Sequence, residues 1–206
     1  MTLSYRSIAA PASSEIVERK SRFIGYAARA TSEEEAFEVL DAVRGRHPEA
    51  RHNVWAYLLQ SGRERCSDDG EPQKTAGLPT LEVVRRSGLV DLVVVTTRYF
   101  GGTLLGTGGL VRAYTAAAQD ALAGAQIVEF TRCIDVTCRL PYALYEQVHR
   151  LALDYGGKPG AGVFGADVVM PVRFKEPDAA PFMAAVAELA RGQELCDRSE
   201  AYFCAF

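Results

Sequence analysis

The densest chemistry in the sequence lies between two arginines, in Arg98-Tyr99-Phe100-Gly101-Gly102-Thr103-Leu104-Leu105-Gly106-Thr107-Gly108-Gly109-Leu110-Val111-Arg112-Ala113-Tyr114. Glycine permits positive φ and close backbone approach, and the first turn of a helix presents unpaired N–H groups at its positive end. Gly101, Gly102, Gly106, Gly108 and Gly109 could therefore cradle an anion. Arg98 and Arg112 are planar, permanently charged donors suited to phosphate, and Tyr99 could stack on a nucleobase. The segment is not a dinucleotide fingerprint, because Val111 stands where the third glycine is needed, and it lacks the Gly-Lys-Ser/Thr of a P-loop. Glycine spacing alone fits close packing as well as it fits phosphate binding. Arg98 and Tyr99, just past an apolar run, are expected to reach solvent. Tyr114, on an apolar helical stripe, is expected in the core.

A second cluster, Asp68-Asp69-Gly70-Glu71-Pro72 with Lys74 and Thr75, sits in a stretch rich in Gly, Pro and acidic residues. Its carboxylates could hold Mg²⁺, but Asp-Asp-Gly also forms turns whose side chains bond their own backbone, and the turn is the preferred reading. His52, next to Arg51, could act as an acid/base or a hydrogen-bond donor, yet no Ser, Cys or Asp stands at a triad spacing. The five cysteines, at 66, 133, 138, 196 and 204, form no CxxC pair, and the three histidines are scattered. Reduced, mostly buried thiols are expected, and no catalytic residue, metal or cofactor is assigned.

These residues need elements to position them. Ile16–Glu18 and Ser21–Ala30 read as strands. Thr31 with Glu34, overlapped by Ser32 with Glu35, is a capping-box pattern opening a helix whose apolar stripe is Ala36, Phe37, Leu40 and Val43. Strands follow at Asn53–Gln60 and Leu92–Thr97, and a helix carries Leu110, Tyr114, Ala117, Ala118, Ala121 and Leu122 up to Gly124. Residues 61–80 read as a long functional loop, with a short strand at Glu64–Cys66. After Arg132 the order is strand Cys133–Leu140, helix Tyr142–Tyr155, strands near Pro159–Gly165 and at Asp167–Phe174, helix Asp178–Arg191, and strand Glu194–Phe206. That βαββαβ order is the ferredoxin-like arrangement, two helices on one face of a four-stranded sheet. The expected fold class is α+β with two domains, 1–130 and 131–206.

At 206 residues the chain is long enough for either one large core or two small ones. No apolar run reaches membrane-spanning length, and Met1–Arg19 contains no apolar signal core, so a cytoplasmic location is expected. The net charge of -3 argues against indiscriminate coating of nucleic acid. Residues 1–132 hold 16 basic and 16 acidic side chains and residues 133–206 hold 7 and 10, so the deficit lies in the second part. The first part is the better candidate for anionic partners. The second is expected to be a recognition or positioning module without chemistry of its own.

Four ordered motifs resemble the Impact/YigZ family: Lys20-Ser21-Arg22-Phe23-Ile24, Arg51-His52-Asn53-Val54-Trp55-Ala56-Tyr57, Asp68-Asp69-Gly70-Glu71-Pro72 with Thr75-Ala76-Gly77-Leu78-Pro79, and the glycine-rich segment. The resemblance implies a ribosomal-protein-like α+β first domain and a second domain similar to the end domain of elongation factor G. It also implies a role in translation, since eukaryotic Impact proteins are translation regulators. The expected function is a non-enzymatic, translation-associated protein that binds structured RNA, a ribosomal surface or a translation factor, with no membrane partner. The residues expected to serve it are His52, Asp68, Asp69, Glu71, Lys74, Thr75, Arg98, Tyr99, Arg112 and the five glycines. The alternative is a phosphate- or nucleotide-handling enzyme using the glycine-rich helix start with Mg²⁺.

Overall fold

A computed structural model describes residues 4–206; the first three residues of the expected domain 1–130 lie outside it. The chain is mixed α+β and divides into two compact units, Tyr5–Val128 and Glu129–Phe206 with Ser4. In the first unit the elements are β1 (Ser4–Ala10), β2 (Ala12–Glu18), β3 (Ser21–Arg29), α1 (Glu33–Arg46), β4 (His52–Leu58), β5 (Glu64–Ser67), α2 (Gly77–Ser87), β6 (Leu92–Tyr99) and α3 (Gly106–Ala123). Then β7 (Gln126–Leu140) runs across the boundary between units.

Strands β2-β3-β6-β4-β5 form an antiparallel sheet in that order. Strand residues alternate between faces, which sorts the two cores. Val93 and Val95 of β6 join Trp55, Tyr57 and the α1 residues Ala36, Leu40 and Val43 on one face. On the other, Leu92 and Val94 pack with Val83 and Val84 of α2 and Ala118 and Ala121 of α3. Nearer the far end of β6, Phe23 and Val54 pack with Leu110, Ala113 and Tyr114 of α3. Helix α1 starts as its sequence suggests: the Ser32 hydroxyl accepts from Glu35 N–H, and the Glu35 carboxylate accepts from Thr31 N–H.

One correction concerns this unit. The stretch 61–80 is not loop throughout, because α2 begins at Gly77; Pro79 lies in its first turn, where a missing N–H removes no intrahelical bond. Helix α3 begins at Gly106, so Gly106, Gly108 and Gly109 form its first turn.

The second unit contains α4 (Tyr142–Asp154), β8 (Lys158–Pro159), β9 (Val163–Phe164), β10 (Val168–Lys175), α5 (Glu176–Leu189), β11 (Cys196–Arg198) and β12 (Tyr202–Ala205). The expected strand near 159–165 is thus two short strands, and the expected strand Glu194–Phe206 is interrupted. Strand β10 pairs antiparallel with β7 on one side and with β8 and β9 on the other, while β11 and β12 both pair with β7. Even-numbered positions of β7 (Ile134, Val136, Cys138, Leu140) pack against Val148 and Ala152 of α4 and Phe182 and Val186 of α5. Among the described residues no helix is long and apolar enough to cross a membrane.

Candidate functional site

One end of the first unit's sheet gathers most of the chemistry. Strand β6 lies between β3 and β4, and its register sets Phe23 and His52 on either side of Arg98. Alternation puts those three on the α2/α3 face and Tyr99 on the α1 face. Residues 68–76 connect β5 to α2.

The acidic residues of that connection are structural partners. Asp68 Oδ1 accepts from the N–H groups of Ala76 and Gly77 at 3.0 and 2.8 Å, and Oδ2 accepts from Lys74 N–H at 2.9 Å. Helix α2 has no side-chain cap from its own N-cap residue, Ala76, so Asp68 supplies the missing acceptor from eight and nine positions away. Asp69 Oδ2 accepts from Asn53 N–H at 2.7 Å, and Oδ1 pairs with Arg44 at 3.2 Å. Asp69 and Lys74 hold positive φ, as turn geometry requires. Thr75 is buried, and its hydroxyl donates to the Pro72 carbonyl. A Mg²⁺ ion would have to displace these partners. Among the described residues no group of three or more His, Cys, Asp or Glu is arranged to hold a metal.

Glu71 is turned inward. Its Oε1 lies 2.7 Å from an Arg98 terminal nitrogen and accepts from the Tyr114 hydroxyl at 2.8 Å. Burial beside the Glu71 carboxylate drives the Tyr114 phenol far above its ordinary value, so Tyr114 remains a donor. Arg98 is buried, contrary to the expectation that it reaches solvent. The reason is its place on the central strand, with the Phe23 and Phe100 rings 5.4 and 5.6 Å from its guanidinium carbon. Tyr114 is in the core as expected, but its hydrogen bond to Glu71 was not visible in the sequence.

His52 Nδ1 is 2.9 Å from the Asp69 carbonyl. A carbonyl only accepts, so Nδ1 is the donor in this contact. Half-buried His52 lines a pocket of about 340 Å³ with Glu49, Arg51, Arg98, Tyr99 and Phe100. Arg51 and Phe100 are exposed, and Arg98 Nε, though buried, has no acceptor among the described residues. On the opposite face the Tyr99 hydroxyl lies 3.0 Å from His47 Nδ1. Desolvation, then Arg46 and Arg22, hold the His47 imidazole below its ordinary pKa.

The glycines divide by role. A Cβ on Gly101 would sit 2.0 Å from the Lys20 carbonyl carbon, and Gly101 N–H donates to the Ser21 hydroxyl, so this glycine serves close packing. Gly109 is likewise tight against Leu105. Gly102 and Gly106 hold positive φ with open space around them, and Gly108 is also open. Helix α3 has no side-chain cap, and Arg112 is exposed one turn in, with its guanidinium close to Gly108. The structure therefore joins Arg98 to Glu71 and His52 to Asp69, whereas Lys74 and Arg112 project to solvent. Arg51 and Phe100 complete the pocket and were not among the expected site residues; the signal for Arg51 was its adjacency to His52.

The Impact N-terminal domain family model matches residues 19–122, which contain every expected site residue. The IMPACT family member YvyE of Bacillus subtilis is 41% identical over 63% of this chain and 60% of its own length. The IMPACT family member YigZ of Escherichia coli is 35% identical over 84% of this chain and 87% of its own. A crystal structure described as that of a hypothetical protein covers 100% of this chain and 98% of its own, with 31% identity and a TM-score of 0.68.

Proposed function

The chain belongs to the Impact family, and on that premise we propose that it is a non-enzymatic accessory protein of translation that binds structured RNA through the first unit. The observation that carries this reading is the pocket beside β6. It brings exposed Arg51 and half-buried His52 beside the exposed ring of Phe100. The exposed Arg51 guanidinium suits a phosphate oxygen, and exposed Phe100 offers a ring face to an unstacked base. Lys74, Arg112 and the uncapped start of α3 add positive charge on the same unit. The engagement of Asp68, Asp69 and Glu71 with protein donors weighs against the Mg²⁺-dependent alternative. We read the second unit's strand order as ferredoxin-like, similar to the end domain of elongation factor G, and assign it a positioning role.

Filter binding of ribosomal and transfer RNA to the full chain tests the proposal. Binding should weaken with salt by roughly one logarithmic unit of slope per phosphate contacted. Arg51→Ala with Arg112→Ala, both at exposed positions, should reduce affinity while leaving the fold intact. No binding at low salt, or binding indifferent to both substitutions, overturns it. A Mg²⁺-dependent thermal shift with ATP or GTP would support the nucleotide-handling reading instead.

A further inference from the structure

The second unit brings two cysteines together that are 58 positions apart in the chain. Cys138 Sγ and Cys196 Sγ lie 2.9 Å from one another, and both are free thiols. The residues face each other directly across antiparallel β7 and β11. The hydrogen bonds Arg139 N–H to Leu195 carbonyl and Ser199 N–H to Asp135 carbonyl identify the alternate pairs of this ladder as the hydrogen-bonded ones. Cys138 and Cys196 therefore form a non-hydrogen-bonded pair, the kind in which side chains approach most closely. The Cα separation of such pairs, about 4.5 Å, falls inside the roughly 4.4–6.8 Å range that a disulfide spans. By contrast, Cys133 faces Tyr202, and Cys204 is only its diagonal neighbour.

We propose that Cys138 and Cys196 are a disulfide-forming site, oxidised by a low-molecular-weight disulfide and serving to fasten β11 to β7. The two thiols are not equivalent. Cys138 is fully buried in the helix-covered core, whereas Cys196 is half-exposed. Contact with the Cys196 sulfur and then burial push the Cys138 thiol up, whereas the same contact holds the Cys196 thiol below its ordinary value. Cys196 is thus the attacking sulfur and Cys138 the resolving one.

Cys196 gives up its proton and attacks one sulfur of the small disulfide. A bond forms between them, and the other half leaves as a thiolate that takes up a proton. Cys138 then loses its proton and attacks Cys196 Sγ. The mixed disulfide breaks and releases the second small thiol. The two cysteines together lose two electrons, and the oxidant is reduced to two thiols.

The site acts where the ladder is short. Strand β11 has three residues, and the pairing with β7 slips by one position before β12 begins. A covalent tie there holds a segment that few backbone bonds hold.

The test treats the reduced full chain with glutathione disulfide, alkylates the remaining thiols and maps the peptides. The expected result is the loss of two of the five titratable thiols, a cross-linked peptide joining Cys138 to Cys196, and slower hydrogen exchange at Asp197 and Arg198. Since Cys138→Ser alters a core position, Cys196→Ser is the informative variant. It should abolish the cross-link, whereas Cys66→Ser, in the other unit, should leave it intact. Five free thiols after treatment, a glutathione adduct on Cys196 that never resolves, or a cross-link between Cys133 and Cys204 instead would overturn the assignment.

Discussion

Glu71 and Arg98 meet at 2.7 Å with their side chains 3% and 7% exposed, and the carboxylate oxygen in that pair also accepts from the Tyr114 hydroxyl. The contact ties the loop, the central strand and α3 at one point. A buried pair is weak evidence of net stabilisation, because desolvation offsets attraction, but removal of one partner strands the other. Glu71→Ala leaves a buried guanidinium and a buried hydroxyl without their acceptor. It should cost about 3–5 kcal/mol in urea unfolding, and Glu71→Leu with Arg98→Met should cost clearly less. A loss below about 1 kcal/mol for Glu71→Ala would show that the pair is not structural. Arg98→Ala is for the same reason a poor probe of RNA contact, since it disturbs the fold together with the pocket.

Asp68→Ala should destabilise α2 at its start. Three backbone N–H groups, of Lys74, Ala76 and Gly77, lose their acceptor, and caps of this kind are worth about 0.5–2 kcal/mol. Hydrogen exchange should accelerate at those three amides before it does in the sheet. Unchanged protection there would mean that water replaces the carboxylate without cost.

Local signals were legible in the sequence where structure is local. Ser32 and Glu35 announced α1, and the apolar stripe of α3 placed Tyr114 in the core. Helix α2 was hidden because Gly77 and Pro79 read as breakers, and its acceptor, Asp68, lies outside any capping-box spacing. The burial of Arg98 was hidden too: a strand end in the sequence gives no sign that β3 and β4 flank it or that residues 68–76 supply Glu71. Cys138 and Cys196 are neighbours only through sheet register, which no short spacing encodes.

The glycines give a sharper test of what the glycine-rich segment is for. Gly101→Ala would drive a methyl into the backbone at Lys20 and Ser21, where nothing flexible can yield. It should shift the β2–β3 turn and destabilise the unit by about 1–3 kcal/mol. At Gly108 the nearest atom is a terminal nitrogen of Arg112, 3.6 Å away, and φ is not positive. Gly108→Ala should therefore leave the melting temperature unchanged or raise it, since alanine is the better helix former. If Gly108→Ala nonetheless weakens RNA binding, open backbone at the start of α3 contacts the ligand; equal affinity would confine the role of this glycine to the helix.

The surroundings of His47 predict the direction of a pH effect. His47 has a folded pKa below its ordinary 6.5, chiefly through desolvation and then through Arg46 and Arg22. Between the ordinary value and the lower folded one, the unfolded chain binds more protons than the folded chain, so stability falls as pH decreases. The contribution is complete above about pH 6.5 and fades as pH drops toward the folded pKa. Urea midpoints measured from pH 7.5 to 5 should show this decline, and His47→Gln should flatten it. Tyr99→Phe should keep its sign, because desolvation and the two arginines remain when the hydroxyl is gone. An NMR titration of His47 that gives a value above 6.5 would reverse the sign and refute the prediction.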